Sequence, residues 1–318
     1  VNEIIHAIGL GIIQGIAELF PVSSAAHTVL LSYLFRWDFP SLPFVVMLHL
    51  GTFLAVLVYF WQDYAALVRG LITGVRTRFA EPNERLALLV IVGFVPLAIG
   101  GKLLSKSVDP LFANPTVAAA VLLVTGIVLF VTEKLSRRQP KTLEARPAAA
   151  PDDTAERMWF PEPKKPKYTY EGAAGLSWLQ AFLIGLSQIA GIIPGGSRSG
   201  FSICAGMFAG LTREEASRFS FLMAGPAILG AAIFELPRVL GHGKIEPGAT
   251  MSGIASLSAA PESHLVIAVG TIVAFLSGLV AIRFFMRFVS DHRLTPFAVY
   301  CWACGLFMLG VIGIRHGT

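Results

Sequence analysis

Apolar residues run along this chain in long blocks, with the charges gathered in the segments between them. Six blocks, at 43–61, 86–104, 116–132, 217–236, 264–284 and 297–314, are long enough to serve as membrane spans, given the ~20 residues a spanning helix needs. Two further apolar stretches break in the middle. The first starts at Ile4, breaks at Pro21-Val22-Ser23-Ser24 and resumes to Phe35. The second starts at Trp178, breaks at Pro194-Gly195-Gly196-Ser197-Arg198 and resumes to Leu211. Neither half of either stretch can span comfortably, so both predict re-entrant helix–loop–helix hairpins. The expected fold is an all-α polytopic membrane protein with six spanning helices and two such hairpins.

Basic residues set the orientation. Arg69, Arg76, Arg78 and Arg85 in the 62–85 loop, nine in the 133–176 loop, Arg213, Arg287 and Arg293 place sixteen Lys or Arg on one side. The other side has six: Arg36, Lys102, Lys106, Arg238, Lys244 and Arg315. The richer side is cytoplasmic by the positive-inside rule, which leaves both termini outside. The first hairpin then enters from outside and the second from inside, each followed by three spans. This makes an inverted-topology repeat, with residues 1–132 as the first half and 177–318 as the second of one membrane domain, 1–318. Its traces in the letters are faint: Gly15-Ile16-Ala17-Glu18 stands against Gly185-Leu186-Ser187-Gln188. Residues 133–176 between the halves, with six prolines and many charges, read as a disordered cytoplasmic loop without a part in the chemistry.

Composition agrees with lipid as the solvent. The chain of 318 residues is 54% hydrophobic and 14% charged, against about 25% charged in soluble domains, and its mean hydropathy is +0.68. The net charge of +5 follows from loop Lys and Arg and is no sign of nucleic-acid binding. Three cysteines, all in apolar stretches, exclude a disulfide framework, and Cys301-x-x-Cys304 lacks the second ligand pair of a zinc site. Residues 1–20 lack the basic start and cleavage site of a signal peptide and read as the first membrane element.

The chemistry concentrates at the two breaks. Gln14 and Glu18, four apart, share a helix face, and a carboxylate inside a membrane segment is a functional candidate because burying it is expensive. A structural carboxylate, or for Gln14 an interhelical hydrogen bond, is the plainer reading. Ser23 and Ser24 are placed to bind phosphate or attack it, or simply to cap the helix that follows. Ser24 and His27 are close enough in sequence to hydrogen-bond, and an imidazole near a carboxylate suits proton transfer. His27 could equally be a satisfied core histidine. At the second break, Gly195, Gly196, Ser197, Arg198, Ser199 and Ser202 can bring backbone N–H groups, hydroxyls and a guanidinium onto one anion. His49 reads as a structural polar group facing the bundle interior. A carboxylate, a hydroxyl and an imidazole beside an anion cradle suit phosphoanhydride cleavage, with Arg198 stabilising charge on the phosphate. Ser24, His27 or a water could attack. Glu18, with Gln14, could also bind a divalent ion, since one or two carboxylates plus substrate phosphates often hold Mg²⁺.

At these residues the chain resembles the undecaprenyl-diphosphate phosphatase family, also known as bacitracin-resistance proteins. The first family motif is matched by Gln14, Glu18, Pro21, Val22, Ser23, Ser24 and His27. The second is matched by Pro194, Gly195, Ser197, Arg198, Ser199 and Gly200, and the segment from Arg218 to Gly230 is similar too. Ala25 and Ala26 stand where the family usually has Thr and Gly, and Ser202 stands for a Thr. The resemblance implies hydrolysis of undecaprenyl diphosphate to undecaprenyl phosphate and inorganic phosphate, which recycles the lipid carrier of cell-wall synthesis and confers bacitracin resistance. It implies dependence on Mg²⁺ or Ca²⁺ and a multi-pass protein of the bacterial cytoplasmic membrane whose site opens to the outer face. The partners implied are the polyprenyl diphosphate and membrane lipids, with a homodimer left open. The competing expectation is a polyprenyl-phosphate transporter, because inverted repeats with broken helices are also a transporter architecture.

Overall fold

The computed structural model describes residues 2–37, 40–136, 171–239 and 263–316. Among these residues all regular structure is helical. The first broken stretch forms α1 (Asn2–Ala17) and α2 (Ser24–Phe35). They are followed by α3 (Leu42–Tyr59), α4 (Trp61–Thr77), α5 (Pro82–Val108) and α6 (Pro115–Ser136). After one turn, α7 (Glu171–Ala174), the second broken stretch forms α8 (Trp178–Ser187) and α9 (Arg198–Phe208). The chain ends with α10 (Arg213–Val239), α11 (His264–Asp291) and α12 (Thr295–His316).

Among the described residues, five segments are long and apolar enough to cross a membrane: α3, residues Pro82–Leu104 of α5, α6, α11 and α12. The sixth expected span lies in α10, part of whose second half falls outside the residues with described side chains. Most helix starts follow from capping. Ser41, Ser177 and Ser263 each accept a hydrogen bond from a backbone N–H of the first turn, and Ser177 with Gln180 completes a capping box.

Two sequence expectations shift. Residues 62–77, expected within a loop, form all but the first residue of α4, because this stretch has a face to bury: Asp63, Leu67, Gly70 and Gly74. Asp63 on that face accepts from Arg218 Nε of α10 at 3.0 Å. Both ends of the segment expected to be disordered, 133–176, are helical, since α6 continues to Ser136 and helix resumes at Glu171; residues 137–170 lie outside the described residues.

Packing brings the two broken stretches to the middle of the bundle. α1 and α3 lie against α11, α8 lies against α5, α12 against α6, and α10 touches both α3 and α9. Small residues allow the closest approaches. A Cβ at Gly15 of α1 would fall 2.7 Å from the Gly278 nitrogen of α11, and one at Gly185 of α8 would fall 2.1 Å from the Gly93 oxygen of α5. Behind the breaks, Phe219, Phe221 and Phe285 are fully buried, and the Phe221 and Phe285 rings meet at 5.9 Å.

Candidate active site

The first break is built by proline and a strained serine. α1 winds out through Glu18, whose N–H donates to the Gln14 carbonyl at 3.0 Å, and Pro21 then brings no N–H to continue the ladder. Ser23 takes φ 66°, a left-handed backbone that costs a non-glycine residue roughly 1–2 kcal/mol. Its neighbours hold it there: its hydroxyl oxygen accepts from the Ala26 N–H at 3.3 Å, and its carbonyl accepts from His27 Nδ1 at 2.7 Å. The turn leaves Glu18 and Ser24 facing each other, with Ser24 Oγ donating to Glu18 Oε2 at 2.7 Å.

The second break is built by glycines. Beyond α8 a tight 3-10 turn spans Gln188–Ile192, and Gly195 follows with φ 101°. The Gly195 carbonyl accepts from Thr125 Oγ1 at 2.7 Å, which pins the break to α6. Ser197 then caps α9, accepting from the Gly200 N–H at 3.1 Å, so that Arg198 opens the helix. Arg198 Nη2 donates to Glu18 Oε1 at 2.6 Å, joining residues 180 positions apart in the chain. Arg198 Nη1 is buried and has no hydrogen-bond partner.

Glu18 is the hub. Its Oε1 takes Arg198, while its Oε2 accepts from Ser24, accepts from Gln14 Nε2 at 3.3 Å, and faces His49 Nε2 at 3.4 Å. Ser199 Oγ ties the second break to the first, donating toward the carbonyls of Glu18 and Phe20 at 3.4 and 3.3 Å. These groups line one end of a cavity of about 420 Å³, and its walls are apolar: Phe94, Leu97, Phe112 and Ile228 among them. An amphiphile with an anionic head and an apolar tail matches that division, with the Arg198 guanidinium among the polar groups that line it.

The cavity gathers Gln14, Glu18, Ser23, Ser24, Gly196, Ser197, Arg198 and Ser199. Three residues expected there stand apart. His27 does not reach Ser24 or Glu18: its Nδ1 binds the Ser23 carbonyl and its Nε2 meets the Tyr300 hydroxyl of α12 at 2.7 Å. Both ring nitrogens are committed, because the residue three beyond Ser24 on the helix lies on the face turned to α12. Ser202 is fully buried one turn into α9 and hydrogen-bonds Ser220 Oγ at 2.6 Å, so its hydroxyl faces α10 and not the cavity. Gly195 supplies a conformation and a contact with α6, where a Cβ would fall 2.4 Å from the Ala118 oxygen. Conversely, His49 of α3 belongs to the site. The only signal for it in the sequence is a polar residue amid an apolar span.

Among the described residues, no three His, Cys, Asp or Glu converge on one point. Glu18 and Gln14 are too few for an all-protein cation cage. They do match the donors a protein contributes when substrate phosphates complete the coordination.

The family described as bacitracin resistance protein BacA matches residues 7–307. A protein of Mycolicibacterium paratuberculosis named undecaprenyl-diphosphatase is 36% identical, with 98% of each chain covered. Proteins of the same name from Granulibacter bethesdensis and Acidiphilium cryptum are 36% and 37% identical, covering 95% and 96% of this chain and 94% and 97% of their own.

Proposed function

Since the chain belongs to the bacitracin resistance protein family, we propose that it hydrolyses undecaprenyl diphosphate to undecaprenyl phosphate and inorganic phosphate. One observation carries the reading: a serine hydroxyl 2.7 Å from a carboxylate that is itself 2.6 Å from an arginine, at the polar end of an otherwise apolar cavity. The relatives' name favours hydrolysis over the transporter alternative. Returning the carrier lipid to cell-wall synthesis, and depleting the diphosphate to confer bacitracin resistance, follow from the same activity.

In the proposed mechanism the prenyl chain lies along the apolar wall and the diphosphate meets Arg198. Arg198 Nη1 donates to the terminal phosphate, with N–H groups of the second break beside it. Ser24 Oγ attacks the terminal phosphorus, and Glu18 accepts the hydroxyl proton. The bond from that phosphorus to the bridging oxygen breaks, and undecaprenyl phosphate departs with the electron pair. Water then cleaves the phosphoserine, which regenerates Ser24 and releases phosphate. Phosphoryl transfer asks the protein mainly for positioning and charge stabilisation, so a carboxylate held by an arginine is base enough. Mg²⁺ or Ca²⁺ is part of the proposal: Glu18 and Gln14 would hold it, and when bound it would supply charge neutralisation to the diphosphate. His27 acts through Ser23, whose left-handed turn it holds.

The finer architecture is also proposed: six spans and two re-entrant hairpins in an inverted repeat within the bacterial cytoplasmic membrane. Its support is the exchange of partners between halves, α1 on α11 and α8 on α5, with Gly15 and Gly185 at corresponding contacts. An opening to the outer face is supported by the cavity walls. They come from the start of α3 and the end of α5, away from the arginine-rich segment around α4.

The purified protein should release phosphate from undecaprenyl diphosphate, Ser24→Ala should abolish release, and Glu18→Gln should lower it at least about a hundredfold to a residual rate measurable in single turnovers. Phosphate bound to Ser24, trapped by acid quench and found by mass spectrometry, would identify the nucleophile. Full activity in Ser24→Ala would reject serine attack, and no release by the unmodified protein would reject the function.

A further inference from the structure

We propose that His49 is a positioning residue: it holds the Glu18 carboxylate turned toward Ser24 and away from a two-armed grip by Arg198. The inference rests on the reading that Glu18 accepts the Ser24 proton. His49 is well placed to hold something. Its Nδ1 donates to the Val45 carbonyl one turn back at 2.8 Å, which fixes the ring plane and aims Nε2 at Glu18 Oε2, 3.4 Å away. α3 itself cannot roll easily, because a Cβ at Gly51 would already fall 2.4 Å from the Thr271 oxygen of α11.

The need for such a holder comes from Arg198. Only Nη2 is engaged, with Glu18 Oε1, while Nη1 is buried without a partner. A carboxylate and a guanidinium prefer two parallel hydrogen bonds, and the last torsion of a glutamate is soft and roughly two-fold. Left to itself, Glu18 can turn to present both oxygens to Arg198. That turn would withdraw Oε2 from Ser24 and occupy the guanidinium arm that faces the phosphate in the proposed reaction. His49, together with Ser24 and Gln14, anchors Oε2 against it, and of the three it alone comes from outside the first broken stretch.

The test separates the two ring nitrogens. His49→Asn keeps an amide near the Nδ1 position but nothing at Nε2, whereas His49→Gln places an amide near Nε2. Phosphate release from undecaprenyl diphosphate by the purified variants should show His49→Gln within about threefold of the unmodified kcat. His49→Asn should fall tenfold or more in kcat with KM changed less than threefold. A cycle with Glu18→Gln, followed in single turnovers, removes folding effects. His49→Asn should cost nothing further once there is no carboxylate to hold, whereas a purely structural loss would multiply in both backgrounds. Equal activity of the Asn and Gln variants, whether both high or both low, or a multiplicative loss in the Glu18→Gln background, would overturn the role of His49. Full activity of Glu18→Gln alone would instead overturn the reading on which it rests.

Discussion

Replacing Arg198 by lysine tests the anion cradle while keeping its charge. In the structure Nη2 holds Glu18 Oε1 at 2.6 Å, and Nη1 is buried with no partner among the described residues; in the proposed reaction the guanidinium has a second task, on the phosphate. An ammonium is a single point of charge on a flexible stem and cannot keep both directions in the fixed fork of a guanidinium. If lysine stays with Glu18, the transition state loses one oriented donor. Removing one such donor from a preorganised site costs about 2.7–4 kcal/mol, or 10²–10³ in kcat. Arg198→Lys should therefore lower kcat for phosphate release roughly a hundredfold or more, and Arg198→Ala should fall further, because it also leaves Glu18 without its ion pair. The measurement is steady-state release of phosphate from undecaprenyl diphosphate by purified protein, with the thermal transition followed alongside. Arg198→Lys within threefold of the unmodified enzyme would refute the reasoning, since the second arm would then do nothing that a bare charge cannot.

Three more outcomes follow from the same geometry. Tyr300→Phe removes the hydroxyl that meets His27 Nε2 at 2.7 Å; a net hydrogen bond of about 1 kcal/mol predicts a loss in kcat below about tenfold. A hundredfold loss would place that pair in the chemistry itself. Asp63→Ala should lower the stability of the purified protein by about 3 kcal/mol in denaturant or thermal unfolding, because it takes a carboxylate from the largely buried Arg218. The double variant Asp63→Ala with Arg218→Met should recover much of that loss. Gly195→Ala combines an alanine at φ 101° with a Cβ 2.4 Å from the Ala118 oxygen, so it should cost at least about 2 kcal/mol and depress activity through the second break. An unchanged melting temperature would show that the break can relax.

Much of this protein was readable from its letters because lipid imposes simple rules. Apolar runs became α3, α5, α6 and α12 within about four residues of their expected ends, and α11, which starts where expected, runs on to Asp291; span length is set by the bilayer and most ends by serine caps and prolines. Both breaks were legible for the same reason: Pro21 and the Pro194-Gly195-Gly196 run cannot continue a helix. Side-chain direction was not legible. Three residues of separation made Ser24 and His27 look like partners, yet Ser24 turns to α1 and His27 to α12. Likewise Ser202 looked like part of the cradle, but one turn into α9 its hydroxyl meets Ser220. From the sequence His49 reads as a structural polar group facing the bundle interior; its partner, Glu18, lies outside its own helix, and no local spacing records that contact.

The placement of the site at two helix ends has a consequence for how its precision is kept. Glu18 follows the last turn of α1 and Arg198 opens α9, so their 2.6 Å contact depends on where each broken stretch sits against its neighbours. That position is in turn fixed by close backbone contacts, Gly15 on α11 and Gly185 on α5, where any added side chain would collide with backbone. A loop-borne site could drift by an ångström, whereas these contacts resist sliding along their neighbours in either direction. Ser199, bonded to the carbonyls of Glu18 and Phe20, and Thr125, bonded to Gly195, then lock the breaks to each other and to α6. The irregular backbone that a membrane interior tolerates only around a cavity is thus held from several directions. Such restraint suits a reaction whose catalysis is mostly the positioning of charge, and it opposes the sliding of one half past the other that alternating access would require.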